Sequence, residues 1–140
     1  MKITKPMTVS DRRRIVVKEP GDIITFLYDF YSDLTDTENF TVIALDSSHR
    51  VISVRVVSQG TVSRALVHPR EIFRNAIIDN SFAVILVHNH PSGICLPSVA
   101  DIEMTKRMKD AADIVGIRLV DHIILGDEYY SFLEHKEIVA

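Results

Sequence analysis

Two histidines one residue apart, His88 and His90, follow directly on the apolar run Ala83-Val84-Ile85-Leu86-Val87. Alternate side chains of a strand share a face, so both imidazoles can converge on one ion while Asn89 faces away. Pro91 and Gly93 break the strand, a loop runs to Pro97, and Ser98 begins a helical pattern with Asp101 in its first turn. Two imidazoles and one carboxylate can therefore meet at a strand end. Three protein ligands of the nitrogen/oxygen type leave one tetrahedral position for water, whereas structural zinc sites usually fill all four. The set suits a catalytic divalent metal, and Zn2+ is the leading candidate. A water held by such an ion ionises near pH ~7 instead of ~16, and the chemistry that this supplies is hydrolysis.

The elements that must position these groups can be read outward from them. Pro20-Gly21-Asp22 starts a helix whose core side is Ile23, Phe26, Leu27, Phe30, Tyr31 and Leu34. After the polar turn Thr35-Asp36-Thr37, Phe40 to Leu45 and Val51 to Val57 read as strands joined by a hairpin loop. Pro69-Arg70-Glu71 starts a second helix, with Ile72, Phe73, Ala76 and Ile77 as its buried face, ending at Asp79-Asn80-Ser81. A strand from Phe82 then delivers the histidines, and this strand, helix, strand order fits a covered sheet with the site at a strand end. The third helix runs through Ile102, Thr105, Met108, Ala111, Ala112 and Val115 to a left-handed cap at Gly116. Ile117 to Val120, His122 to Leu125 and Tyr130 to Leu133 supply short strands. The fold class is α/β.

The spacing H-x-H-x7-S-x2-D, filled by His88, His90, Ser98 and Asp101, resembles the JAMM metal motif of the JAB/MPN metalloprotease superfamily. Pro91-Ser92-Gly93, Pro97-Ser98, Asp121-His122-Ile123-Ile124, and upstream Gly60-Thr61 and Pro69-Arg70-Glu71-Ile72, narrow the resemblance to the RadC branch. It runs from about Asp22 to the C-terminus. The resemblance implies a mixed β-sheet flanked by helices with cytidine-deaminase-like layering, in a domain over residues 20–140 preceded by an N-terminal arm over 1–19. It implies Zn2+ on His88, His90 and Asp101, Ser98 as a donor to a developing oxyanion, and Glu38 as the general base, since a glutamate before a Phe opens the first strand in such chains. It also implies a metallohydrolase acting on a peptide or isopeptide-like amide. The alternative is a DNA-repair or recombination accessory module with a mainly structural or vestigial metal site. Full-length RadC-like proteins often carry an N-terminal helical DNA-binding-type domain, which this chain is too short to contain.

Taken without the resemblance, several of these residues have plainer readings. Ser98-x-x-Asp101 is a capping box, Glu38 a solvated turn residue, His49 and His68 satisfied or solvent-facing, and His122 a structural histidine near the sheet edge. Asp121 could orient a liganding histidine. Cys95, between the ligands, could be a fourth ligand or redox-sensitive thiol, but a small apolar packing role fits a lone cysteine better. The sequence of 140 residues is 46% hydrophobic and 25% charged, one domain by default. A formal net charge of -3 gives no general attraction to nucleic acid, and Arg12-Arg13-Arg14 reads first as a solvated approach to a short strand. One cysteine and no long apolar run point to the cytoplasm. Exposed strand edges leave a homodimer open. Helical zinc-protease and zinc-deaminase signatures are absent, and the adjacent letters His-Asn-His do not make the dispersed nuclease motif of that name.

Overall fold

The computed structural model describes Met7–Thr8 and residues 15–34, 36–60 and 67–138. The expectations made for Arg12-Arg13-Arg14, Thr35 and Thr61 lie outside the described residues.

In chain order the elements are β1 (Met7–Thr8), α1 (Gly21–Tyr31), β2 (Glu38–Leu45), β3 (Val51–Gly60), α2 (Pro69–Ile78), β4 (Ala83–Asn89), α3 (Val99–Val115), β5 (Arg118–Leu125) and β6 (Tyr129–Ser131). The strands form one mixed sheet in the order β1-β3-β2-β4-β5-β6. β2 runs antiparallel to both β3 and β4, and β4 pairs parallel with β5 through the α3 crossover. This is an α/β sheet with helices on both faces. Central strands covered on both sides read as continuous apolar runs, and every residue of β4 is buried.

The two faces hold separate clusters. Phe40, Leu86, Leu119 and Ile124 meet Phe73 of α2 and Met104 and Met108 of α3 on one face. On the other, Ile23, Leu27 and Tyr31 of α1 meet Ile43, Ile85 and Val87. A buried side chain of this size is worth about 1.5–3 kcal/mol, so the three from α1 suffice to hold that helix on the sheet. Phe26, Phe30 and Leu34 pack at its margin, only partly buried. Ile77, expected inside, is 58% exposed, because it lies at the edge of the stripe set by Ile72, Phe73 and Ala76. Met104 and Met108 are core residues. Among the described residues no helix is long and apolar enough to cross a membrane.

The structure joins two short strands expected around Asp121 into the single β5. The ladder to β4 shifts between Val84 and Ile85, whose partners are Leu119 and Asp121, so Val120 is an extra residue. Such a bulge breaks the alternation of faces, which is why the pattern reads as two pieces. On the C-terminal side of it, His122 turns toward α3.

Candidate metal centre

Register brings the chemistry together. Phe40 of β2 stands opposite His88 of β4 in an antiparallel pair, so the start of β2 meets the end of β4. Glu38, two residues before Phe40, is thereby carried to the same face as His90, two residues beyond His88. It is the first residue of β2, not part of a free turn, and is half-buried. Phe40 stacks on the His88 ring with centroids 5.7 Å apart.

His90 leaves β4 with its backbone N–H still bonded to the Leu125 carbonyl at 2.8 Å. His90-Pro91-Ser92-Gly93 then closes a β-turn, the Gly93 N–H donating to the His90 carbonyl at 2.9 Å. Proline at the second position and glycine at the fourth are the residues such a turn favours, and Gly93 has φ 88°. Asp101 comes from the first turn of α3, held by reciprocal capping bonds with Ser98.

Three side chains face one another. His88 Nε2 lies 3.1 Å from His90 Nε2, and the Asp101 carboxylate oxygens lie 3.4 Å from the first and 3.2 Å from the second. Ligand atoms about 2.0–2.1 Å from a tetrahedral ion stand about 3.3 Å from each other, so each spacing is of the size found between neighbouring ligands, with the two histidines facing different oxygens of the carboxylate. The Glu38 carboxylate joins the two imidazoles in a group whose ligand atoms all lie within 4.8 Å of one another. Glu38, His88 and His90 therefore fit a divalent ion, and Asp101, in contact with both imidazoles, is a further candidate holder.

Each histidine is held from behind. His90 Nδ1–H donates to the Ile94 carbonyl at 2.8 Å, which leaves Nε2 as the lone-pair nitrogen. His88 Nδ1 meets His122 Nε2 at 2.8 Å, and His122 Nδ1 meets the Thr105 hydroxyl at 2.7 Å. The loop carrying Ile94 lies directly on the β5–β6 turn, where Asp127 N–H donates to the Gly93 carbonyl at 2.8 Å.

The hydrogen bond to Asp101 raises the pKa of His90, against burial, and the Ile94 carbonyl adds to the rise. Burial opposes ionisation of Asp101, but when the rings of His88 and His90 are protonated their hydrogen bonds to it, with the charge on His88 and the Ser98 backbone N–H, outweigh burial and hold the carboxyl well below its usual range. Burial, then the neighbouring His88, keeps His122 far below an ordinary histidine and therefore neutral.

Of the sequence-predicted residues, the structure gathers Glu38, His88, His90 and Asp101. Ser98 adjoins them through its bonds to Asp101, and its hydroxyl oxygen accepts the Asp101 N–H. Cys95 is half-buried and packs against the α3-side core, in keeping with the plainer reading. Two expectations are corrected. Asp121 touches no liganding histidine. Its oxygens accept from the His122 and Leu133 backbone N–H groups and the Ser131 hydroxyl, because the bulge turns it to the α1 face. His122 is fully buried on an interior strand and contacts His88, so it is not near the sheet edge. Thr105 was read only as part of a helical stripe. Nothing in the spacing of residues 88, 105 and 122 joins them, and the Asp-His pair of the DHII phrase was the sole signal.

An α/β domain with a histidine-carboxylate centre at the end of a parallel strand defines the class. The family follows from comparison: the model of the RadC-like JAB domain matches residues 17–138, and the chain belongs to that family. A UPF0758 protein of Finegoldia magna is 51% identical over 91 residues, 65% of this chain and 41% of that protein. One from Desulfitobacterium hafniense is 41% identical over 126 residues, 90% of this chain and 55% of that protein. UPF0758 protein SH1266 of Staphylococcus haemolyticus is 41% identical over 120 residues, 86% and 52% respectively. The chain spans about half the length of these curated relatives.

Proposed function

We propose that this domain is a zinc-dependent hydrolase of the JAMM type that cleaves a peptide or isopeptide-like amide. The observation that carries the reading is the set of donor spacings, 3.1, 3.2 and 3.4 Å, among His88, His90 and Asp101. In this reading those three residues hold the ion. A divalent ion of this kind supplies a Lewis acid and lowers the pKa of water from about 16 to about 7. Glu38, arriving from a different strand, takes the proton of the attacking water and hands it to the leaving amine. Ser98, fixed beside Asp101 by the cap, is the donor toward the developing oxyanion.

One surface feature supports a chain-like substrate. Ile94, Leu96 and Val99, on the segment linking His90 to Asp101, stand 64%, 66% and 73% exposed. Apolar side chains so placed offer contacts to residues flanking a scissile amide.

Metal content by elemental analysis of tag-free protein tests the reading, beside His88→Ala/His90→Ala and Glu38→Gln. Stoichiometric zinc in wild type that vanishes in the double variant, persists in Glu38→Gln and accompanies a loss of peptide cleavage there supports it. Loss of zinc in Glu38→Gln makes Glu38 a fourth ligand and the site a closed, structural one, as in an accessory module. Absence of retained zinc in wild type sinks the hydrolase.

A further inference from the structure

The bonds behind His88 form a chain whose proton positions are decided by its far end. The Thr105 hydroxyl lies 2.7 Å from the Asp101 backbone carbonyl, which can only accept, so Thr105 donates there. Its oxygen is then an acceptor for the 2.7 Å contact with His122, whose Nδ1 must carry the hydrogen. The Nε2 of that neutral ring is a bare lone pair, and it accepts across 2.8 Å from His88 Nδ1–H. His88 is left with a lone pair on Nε2, the atom that faces His90 and Asp101.

We propose that Thr105 and His122 are positioning residues that fix the tautomer and ring orientation of His88, so that its Nε2 is ready for a metal ion before one arrives. The inference rests on the metal-site reading above and adds two residues to it. The chain also closes on itself. It starts at the carbonyl of Asp101 and ends at the ring that shares the ion with the Asp101 carboxylate, so β4, β5 and α3 are locked in the mutual placement that the donor spacings need. Thr105 and His122 are 3% and 0% exposed, and His122 stacks on Phe132 with centroids 4.9 Å apart, so the ring has no room to turn for solvent. Free rotation of His88 is checked on its other side by Phe40. Reversing the His122 tautomer would aim an N–H at His88 Nδ1 and force the His88 proton onto Nε2, where it competes with the ion.

The test uses Thr105→Val, which removes the hydroxyl at nearly constant shape, beside Thr105→Ser, which keeps it. Nitrogen NMR of histidine-labelled, metal-free protein reads which ring nitrogens carry hydrogen. Zinc affinity is read by competition with a chromophoric chelator. Expected are Nδ1–H forms of His88 and His122 in wild type and Thr105→Ser, and loss of the single form in Thr105→Val. Zinc should bind about 10–100-fold more weakly to the valine variant, the usual cost of losing such a support, and within a few-fold of wild type to the serine variant. An Nε2–H His88 in wild type, or a valine variant with unchanged tautomers and affinity, overturns the proposal. If the tautomers behave as expected and wild type takes no zinc, the lock stands and the metal reading fails. Thermal unfolding of the metal-free variants separates either result from general loss of fold.

Discussion

Ser98 and Asp101 hold each other: the Ser98 hydroxyl accepts the Asp101 N–H at 3.0 Å, and the Asp101 carboxylate accepts the Ser98 N–H at 2.9 Å. The same carboxylate faces both histidines, so one arrangement serves the helix cap and the candidate metal centre. The two readings of Ser-x-x-Asp are compatible because a carboxylate offers about four lone-pair directions. Ser98→Ala should therefore cost about 1 kcal/mol of stability, seen as a fall of a few degrees in Tm. It should also weaken zinc binding by loosening Asp101. Unchanged zinc affinity would show that the cap does not position the ligand.

Zinc binding should be pH-dependent in a defined direction. Asp101 raises the pKa of His90, so a proton occupies that ring over a wider pH range than in an ordinary histidine. The ion needs the neutral ring, so affinity rises with pH and levels off above the raised pKa, with a proton released on binding. Calorimetry in buffers of different ionisation enthalpy measures that proton. Equal apparent enthalpies across buffers would contradict the expectation.

Gly126 has no room for a side chain. A Cβ there would lie 2.4 Å from the Gly93 carbonyl oxygen, a backbone atom that cannot swing aside. Gly126→Ala should push the His90–Ile94 turn away from β5, cost about 1–3 kcal/mol and weaken zinc binding. A Tm within a degree of wild type would count against this account.

Asp121 gives a separate pH signature. Burial pushes its carboxyl up to about 6 from the ordinary 3.8, although the bonds from Ser131, Leu133 and His122 pull it back. The folded group binds its proton more tightly than the unfolded one, so its contribution is fully present below pH 3.8 and is lost as pH rises through about 6. Asp121→Asn keeps the shape and removes the titration. Relative to that variant, wild type should lose up to about 3 kcal/mol between these limits. Parallel stability curves for the two metal-free proteins would refute it.

The sequence by itself determined the helices, the central strands and the metal-type residues. Buried strands are continuously apolar, α2 and α3 carry start and stop residues at Pro69, Ser98 and Gly116, and His-x-His needs only the alternation of one strand to converge. Glu38 lay further from reach. Its place beside the histidines depends on the β2–β4 register, a long-range pairing that local pattern does not encode. The bulge at Val120 was hidden for a related reason: one extra residue reverses which face each later side chain takes, so Asp121 and His122 exchanged the roles that their positions suggested. Thr105 and His122 meet only because α3 crosses between two parallel strands. Bonds between residues so far apart in the chain are made by packing, and only the tertiary structure decided them.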